Sequence, residues 1–580
     1  MLNLRVIMKA SSLWFAVVQI CSAAEVPAQK PLRSHEDTQT NVYAEPQIPD
    51  SQASPSKHGS WNGWGANVYN NRWASSDALI DTTNIQSLEP VCSIKYNPGE
   101  SAPPLVQDGI AYYPTWSGLL VALDYATCTE VWTTNITSIV LAFRPITAQR
   151  GLLPPVSRTT PVSNADDGEE SDVLFVGTLA HALVLAIDKH TGALIDTLQL
   201  DDHPFAGITQ SPTFYAGRLY IGVSGIESAV PAVFPDYECC SFVGSMHAVE
   251  LTPGRRRLSL RWTTSMAPED RQGLNGAAVW GSQPSIDAFR SQLFIGTGQT
   301  YKLPKFFEEC QNATADIEAI KQGRTAQDPC SPRDFHTTSV LALDLATGRI
   351  NWARQMGPLD AWNVACVEVP GFPPNPAACP PTPGNDTDFG MAPTFVPGGA
   401  HTPGGEDVVV AGQKNGFLYA FSAQAGTVRW ATAAGPGGIE GGLRAEGVQE
   451  PVLLARHHDV LAARRSVSLL WATPAPEEAV SFMAPTVVNG VVLTGTTGAY
   501  AGSPGSTKPP GIFVALDKKT GKMLRKVTLD GHFQGGIAVV HDYVIFGTGY
   551  GKITATVPGS LQVWKIKSET SSPGRSAGEL

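Results

Sequence analysis

Hydrophobic residues in this chain recur in short runs, and a tight polar turn follows each run. The runs VALD at 121–124, LALD at 341–344 and VALD at 514–517 are examples, and the last two lead into a Thr-Gly step. Short apolar runs that are bounded by glycine and rich in branched residues predict β-strands rather than helices. The glycine supplies the positive φ that a tight hairpin turn requires. The pattern therefore predicts an all-β chain.

A larger unit repeats along the chain. It consists of a strand, a tight turn and a second strand that often ends in tryptophan. A phrase of a small residue, proline and an apolar strand often precedes it. Clear copies of the strand–turn–strand part lie at residues 118–132, 182–195, 244–262, 339–352, 416–430 and 511–524. Four strands per unit at this spacing are typical of β-propeller blades.

The repeat predicts a single β-propeller of seven to eight four-stranded blades over residues 60–566. Besides the clear units, a degraded unit lies near 437–474, and a last unit at 534–566 needs the strand near Val91–Tyr96 to close the ring. One blade cannot bury both of its faces alone, so neighbouring copies must bury each other. Ring closure then removes most of the exposed strand edges.

The composition agrees with this fold and excludes one class of partner. The chain has 580 residues with 56 Gly and 45 Pro, and 16% of its residues are charged, as in turn-rich β proteins. The net charge is −11, and the basic run at 254–262 is short. We therefore expect no nucleic-acid partner.

The two ends of the chain are expected to lie outside the propeller. Residues 1–24 combine Arg5 and Lys9 with an apolar run and small residues, the pattern of a signal peptide too short to span a bilayer. Residues 25–59 and 567–580 are polar and predict a disordered leader and tail. The sequence predicts no membrane span and a location in the secretory pathway or outside the cell.

The cysteines support this location. Cys21 leaves with the signal peptide, and eight cysteines remain. An even number in an oxidising compartment suggests four disulfides, although the sequence alone permits about a hundred pairings. Nearest-neighbour pairing is the simplest, and it joins Cys92–Cys128, Cys239–Cys240, Cys310–Cys330 and Cys366–Cys379. Sequons predict N-glycosylation at Asn135, Asn312 and Asn385.

An insertion at 303–335 interrupts the repeat. Its stretch ATADIEAIKQG, at 313–323, predicts a short helix, and Cys310–Cys330 would clip the base of the insertion. The insertion is either a lid over a pocket or an inert surface element, and both alternatives stay open.

The repeat VALDxxTGxxxW resembles the blade repeat of PQQ-dependent alcohol dehydrogenases, and the resemblance extends over about 60–566. GQKNG at 412–416, DAWNVAC at 360–366 and YECCSFVGS at 237–245 resemble phrases of the polyvinyl-alcohol-dehydrogenase-like branch. The resemblance implies a quinoprotein alcohol dehydrogenase-like β-propeller.

The resemblance also implies a set of site residues. In that family an indole supports the flat quinone, oxygen ligands hold a Ca²⁺ ion, and an Asp takes the proton of the alcohol. Trp280 matches the indole, although it can equally be one more tryptophan of the blade core. Gln299 lies where the family has an Asn ligand, and Thr338 lies where it has the Asp. Threonine is no base near neutral pH, so the redox pair is expected to be lost.

The remaining candidates follow from these positions. His336 is a possible substitute base, so the catalytic candidates are Gln299, Thr338 and His336. Cys239–Cys240 either caps a flat ligand, as in the family, or stiffens its loop. No metal ligand is assigned. The candidates for substrate binding are Trp280, Tyr301, Trp362, Lys414 and Arg444.

Three functions are compatible with these residues. The first is a non-redox enzyme without a cofactor, similar to propellers of fungal natural-product pathways. These act as hetero-Diels–Alderases, joining a tropolone-type quinone methide to a sesquiterpene alkene. The second is an alcohol dehydrogenase, of the polyvinyl-alcohol type, that uses PQQ and Ca²⁺. The third is a non-catalytic binding propeller. The expected partners are small hydrophobic molecules, and the sequence leaves the oligomeric state open.

Overall fold

The structure is a computed structural model. It describes residues 60–567 apart from 148–151, 165–170, 235, 255, 315–328, 358, 360, 368–374, 382, 400–401, 435–442, 445–446, 449–451, 456–470, 479–480, 482, 499–509 and 553–554. The predicted signal peptide and leader, and all but the first residue of the predicted tail, lie outside the described residues.

Seven antiparallel sheets of four or more strands make up the described part of the chain, and they are the blades of a propeller. Blade 1 comprises Leu105–Gln107, Ile110–Pro114, Leu119–Asp124 and Thr129–Asn135. Blade 2 comprises Val162–Ser163, Val173–Gly177, Leu183–Asp188 and Leu194–Gln199. Blade 3 comprises Ala206–Gly207, Thr213–Tyr215, Arg218–Gly225, Ser245–Thr252 and Arg257–Ser265.

The remaining blades follow in chain order. Blade 4 comprises Ser285–Asp287, Gln292–Gly296, Ser339–Asp344 and Ile350–Gln355. Blade 5 comprises Thr394–Val396, Val408–Gly412, Phe417–Ser422 and Val428–Ala433. Blade 7 comprises Thr486–Val488, Val491–Thr496, Ile512–Asp517 and Met523–Thr528. The closing blade comprises Ile537–Val540, Tyr543–Gly547, Gly559–Ile566 and Leu88–Tyr96.

The degraded unit of the sequence is described without a four-stranded sheet; its longest strand pair is Val452–Ala455 with Trp471–Pro474, and we call this pair blade 6. Two short ladders complete the strands, Leu443–Arg444 with Gly447–Val448 and Tyr550–Lys552 with Ala555–Val557. The α-helices are Ile136–Phe143, Val230–Val233 and Lys305–Ala313. The 3-10 helices are Ile85–Ser87, Ala180–Ala182, Glu227–Ala229, Val364–Cys366, Pro376–Ala378, Pro403–Gly405 and Pro476–Glu478.

The predicted all-β fold, with its single propeller and its ring closure, is confirmed. The first strand of the propeller, Leu88–Tyr96, pairs antiparallel with the last, Gly559–Ile566, with Ile94 opposite Leu561. The disulfide Cys92–Cys128 ties this closing strand to blade 1. The two ends of the repeat are thus held both by a strand ladder and by a covalent bond.

All four predicted disulfides are present, and they indicate an oxidising compartment. None of the helices in the described part of the chain is long and apolar enough to cross a membrane. The three sequon asparagines are exposed, and their glycosylation stays a prediction.

A tryptophan at the outer edge of one blade docks into the turn of the next blade. The indole Nε1 of Trp262 donates a hydrogen bond to the Leu345 carbonyl at 3.1 Å, and the ring lies against Gly348. The same indole-to-carbonyl bond joins three more pairs of blades, as Trp132 to Lys189, Trp352 to Ala423 and Trp471 to Lys518. The repeated tryptophan and glycine of the sequence are therefore the contacts between blades. Because Trp471 docks onto blade 7, blade 6 makes the contact that a complete blade makes.

The aspartate of the repeat organises the same turn. Asp344 Oδ1 accepts hydrogen bonds from the backbone N–H groups of Ala346 and Thr347 and from the Thr347 hydroxyl. The Thr347 hydroxyl is the main reason why the pKa of Asp344 lies below its usual value. Asp188 and Asp517 accept the equivalent bonds in blades 2 and 7.

The segment that precedes the closing strand crosses the innermost strands of several blades. Its backbone bonds to Val106 of blade 1, Ile286 of blade 4, Phe395 of blade 5 and Val487 of blade 7. Arg72, in this segment, is buried against the rings of Trp61 and Trp64, and burial lowers its pKa to about 9. Residues 61–74 thus fill the centre of the ring.

The predicted helix at 313–323 lies almost wholly outside the described residues, and the structure describes helices at other positions. The helix of the insertion is Lys305–Ala313, ahead of the predicted stretch, most of which lies outside the described residues. It forms there because Phe307 is buried in the core between blades 3 and 4. A helix also occurs outside the insertion at Ile136–Phe143, where the Asn135 side chain caps the Ser138 N–H. The predicted clip Cys310–Cys330 is confirmed, whereas the role of the insertion as a lid stays open.

Gly348→Ala tests the docking of the blades. The φ of Gly348 is 73°, and an added Cβ would lie 2.5 Å from the Trp262 ring. Gly217 has nearly the same φ, 74°, but an added Cβ would meet nothing within 4 Å. Both alanine variants must therefore adopt an unfavourable left-handed backbone conformation. Only Gly348→Ala also displaces the indole ring of Trp262. We expect Gly348→Ala to lower the free energy of unfolding by about 1–3 kcal/mol more than Gly217→Ala in urea titrations. Equal losses would contradict the docking role.

Candidate functional site

Most of the site residues that the sequence predicts lie on segments at one end of the ring. Because neighbouring strands are antiparallel, the start of the innermost strand of blade 4 lies beside the end of its second strand and the start of its third. Trp280 precedes the innermost strand, Gln299 follows the second, and Thr338 precedes the third. We call this the site end of the ring.

Trp280 is half-buried at the site end, and its edge is held by a carboxylate. Its Nε1 donates a hydrogen bond to Asp388 Oδ2 at 3.0 Å. Gly298 lies against both groups, since a Cβ there would be 3.5 Å from the indole nitrogen and 3.4 Å from Asp388 Oδ2. The indole is therefore fixed in orientation and still partly accessible, as a platform for a flat ligand requires.

Lys414 places a positive charge over this platform. Its Nζ lies 5.1 Å from the centre of the Trp280 ring, within the range of a cation–π contact. The same nitrogen lies 2.8 Å from Asp386 Oδ2 and 2.6 Å from Asp388 Oδ1. All three charged side chains are buried. The site thus holds a buried ammonium between two buried carboxylates.

The sequence analysis missed both carboxylates. It searched for an acid near Thr338 in blade 4, but Asp386 and Asp388 come from the segment before the innermost strand of blade 5. A signal was present, because GNDTDFG leads directly into MAPTF at 391–395, the small-residue–proline phrase that marks an innermost strand. Trp280 likewise lies a few residues before SQPSI of blade 4.

The three catalytic candidates are buried, and Thr338 adjoins this cluster through its backbone. Thr338 N donates to Gly298 O at 2.8 Å, and its buried Oγ1 has no hydrogen-bond partner. Gln299 is 5% exposed as a residue, and its backbone carbonyl accepts a hydrogen bond from Ala277 N at 3.0 Å. His336 is buried, and burial lowers its pKa, so its imidazole is neutral near pH 7.

Two of the binding candidates are buried, and their segments are bonded to each other. Tyr301 is buried, and burial, followed by the charges of Glu227, Asp388 and Asp386, raises its pKa above the usual value. Trp362 N donates to Thr300 O at 3.0 Å, and the buried Nε1 of Trp362 has no hydrogen-bond partner. The Arg444 side chain lies outside the described part of the structure, so its predicted place in the site stays a prediction.

The loop with the Cys239–Cys240 disulfide is anchored next to the site. The fully buried carboxylate of Glu227 accepts from the Tyr237 hydroxyl at 2.6 Å and from the backbone N–H groups of Ser241 and Phe242. Cys240 packs against the apolar cluster that includes Tyr301, and Trp280 packs against the same cluster. Glu227 therefore holds the loop of the disulfide in place.

The charged groups of the site do not fit a bound calcium ion. Calcium takes six to eight oxygen ligands, usually with carboxylates among them. Here the ammonium of Lys414 already lies between the carboxylates of Asp386 and Asp388. Across the described residues, no group of three or more His, Cys, Asp and Glu side chains is arranged to hold a metal. Lys414 thus occupies the position that a cation bound by these carboxylates would need.

Comparison with known proteins shows one consistent set of relatives. The family profile described as outer membrane protein assembly factor BamB matches residues 336–578. A polyvinylalcohol dehydrogenase of Sphingopyxis sp. (strain 113P3) is 26% identical over 67% of this chain and 53% of that relative. A polyvinylalcohol dehydrogenase of Pseudomonas sp is 25% identical over 72% of this chain and 59% of that relative. The chain thus spans between half and two thirds of the length of these curated relatives.

Solved structures agree on the fold. The quinohemoprotein alcohol dehydrogenase from Comamonas testosteroni superposes with a TM-score of 0.57 at 16% identity, covering 89% of this chain and 82% of that chain. A europium-containing methanol dehydrogenase also gives a TM-score of 0.57 at 16% identity, covering 88% of this chain and 98% of that chain.

A double-mutant cycle tests the buried charge cluster. Lys414→Met leaves two buried carboxylates without their cation, so we expect it to lower the free energy of unfolding by about 3–5 kcal/mol. Adding Asp388→Asn restores the original net charge of the cluster and should recover a large part of that loss. Chemical denaturation of the single and double variants measures the coupling. Strictly additive losses would contradict the cluster.

Proposed function

We propose that this chain, which belongs to the PQQ-dependent alcohol dehydrogenase-like family of β-propellers, is a non-redox enzyme acting on a planar conjugated carbonyl compound. The observation that carries the proposal is the Lys414 ammonium, which two carboxylates hold over the accessible indole of Trp280. A platform with a fixed positive charge suits a ligand that is flat and has an electron-rich oxygen.

The proposed reaction is a hetero-Diels–Alder cycloaddition between a tropolone-type quinone methide and a sesquiterpene alkene. The C=C–C=O unit of the quinone methide and the C=C bond of the alkene form one new C–C bond and one new C–O bond. Three π bonds become one, no atom leaves, and no electron acceptor is required. The reaction therefore needs orientation and polarisation rather than a base.

Lys414 is proposed to polarise the carbonyl. A hydrogen bond from an ammonium to the carbonyl oxygen lowers the energy of the heterodiene and stabilises the negative charge that develops on that oxygen. One such donor contributes about 10²-fold or more to a rate in comparable sites. An ammonium has three protons, and Lys414 donates one of them to Asp386 Oδ2 at 2.8 Å, so a further proton can be donated to a ligand.

Two further buried hydrogen-bond donors and the Trp280 ring support the binding and polarisation of a flat carbonyl compound. The Thr338 hydroxyl and the Trp362 indole N–H are buried without an acceptor, and each can donate to a ligand oxygen. Trp280 would stack on the flat ring and fix its face. Holding both reactants in one orientation removes much of the entropy cost of a two-molecule reaction.

A second candidate is PQQ-dependent alcohol oxidation. The Asp388 carboxylate at the indole edge favours it, since an alcohol dehydrogenase needs a base near the quinone. Trp280 and Lys414 would hold PQQ, which accepts hydride from an alcohol when bound. Asp388 would first have to leave Lys414 in order to take a proton. A non-catalytic binding propeller is the third alternative.

Two assays on one preparation separate the candidates. We expect the protein to accelerate the cycloaddition of a generated tropolone quinone methide with a sesquiterpene alkene. We also expect no dye-linked oxidation of simple or polymeric alcohols after incubation with PQQ and Ca²⁺. Robust alcohol oxidation would overturn the proposal in favour of the dehydrogenase, and failure of both assays would favour the binding propeller.

A matched pair of lysine variants tests the role of Lys414. The charge-balanced variant Lys414→Met with Asp388→Asn should slow the cycloaddition by about 10²-fold, because the polarising donor is lost. The control is Lys518→Met, since Lys518 is also buried and lies 5.6 Å from the ring of Trp73, in a turn of blade 7. This control should keep the wild-type rate. Equal rates in both variants would contradict the role of Lys414, with near-ultraviolet circular dichroism as the check on folding.

A further inference from the structure

A cavity opens at the site end of the ring, on the side of blades 1 to 3 and the closing blade. Its volume is about 190 Å³. Its walls are mainly apolar, and they include Trp116, Leu152, Leu153, Leu179, Ile226 and Tyr550. Neither Trp280 nor Lys414 lines it, so it is separate from the platform described above.

The polar groups on the walls of this cavity are largely satisfied within the protein. The Thr209 and Ser224 hydroxyls lie 2.8 Å apart, and Ser224 Oγ also donates to Gly207 O at 3.1 Å. Trp116 Nε1 donates to Ser101 Oγ at 2.8 Å. Arg158 is the one charged residue among those that line the cavity, and it is engaged in an interaction within the protein. The walls therefore offer apolar contact more than hydrogen bonding.

The cavity and the Trp280 platform are neighbours. Thr209 lines the cavity, and the next residue, Gln210, donates through Nε2 to the carbonyl of Gly281 at 3.4 Å. Ser211 N donates to Ser282 O at 2.8 Å. The segment that forms a wall of the cavity is thus bonded to the two residues after Trp280.

We propose that this cavity binds the second reactant, as an uncharged hydrocarbon group that carries a C=C bond. The inference rests on the proposed function for the identity of the first reactant. An apolar cavity of about 150 Å³ holds benzene, so about 190 Å³ suits a group of roughly six to ten carbons. The edge-to-face rings of Trp116 and Tyr550, 4.9 Å apart, supply aromatic surface for an alkene. The rest of a longer hydrocarbon would extend along Thr209 towards the platform.

The experiment measures binding rather than turnover, with limonene as the hydrocarbon probe and tropolone as the platform probe. Ile226→Trp, and as a second variant Thr209→Trp, fill the cavity from partly exposed positions. Val131→Trp is the control, since Val131 is 53% exposed on the outer strand of blade 1. Headspace partitioning reports limonene binding, and tropolone absorbance reports the platform.

We expect limonene to bind the wild-type protein and Val131→Trp alike, and each cavity-filling variant to bind it about tenfold or more weakly. Tropolone affinity should stay unchanged in these variants. Loss of limonene binding in the filled variants without any tropolone binding would support the cavity and overturn only the proposed function. Absence of limonene binding to the wild-type protein, or equal binding by all variants, would overturn the inference.

Discussion

The structure depends on the contact between the tryptophan of one blade and the glycine turn of the next. The indole ring occupies the space that a side chain at Gly348 would take, and its nitrogen bonds to a carbonyl of the same turn. Because this contact recurs between successive blades, it fixes the angle at which each blade meets its neighbour. The ladder between Leu88–Tyr96 and Gly559–Ile566 then closes the ring. A site built from several blades can exist only because these contacts hold.

The candidate site uses that arrangement to bring distant residues together. Trp280 comes from the approach to blade 4, and Asp386, Asp388 and Lys414 come from the segments around blade 5. A buried lysine between two carboxylates is stable only if its charges stay paired. The same pairing keeps the ammonium fixed over the indole, so the group that stabilises the site is also the group proposed to polarise a ligand. The fold thus holds a partly accessible indole beside a side chain that supplies a positive charge.

The ring, its closing strand and the four disulfides were predictable from the sequence, because they follow from a repeat and from short spacings between cysteines. Trp280 and Lys414 were predicted through resemblance, and the structure places them in contact. Asp386 and Asp388 were not predicted, because they reach the indole from a different blade than the acid that the sequence analysis sought. Periodicity identifies a strand, but it does not show which loop side chains meet at the end of a ring.

Calcium titration of the purified protein tests the central claim most directly, namely that Lys414 takes the place of a bound cation. Calorimetry and metal analysis should find no stoichiometric calcium on the wild-type protein, with or without PQQ. Lys414→Ala, which leaves the carboxylates of Asp386 and Asp388 without their ammonium, should take up calcium more readily. One tightly bound calcium ion per wild-type chain would contradict the account.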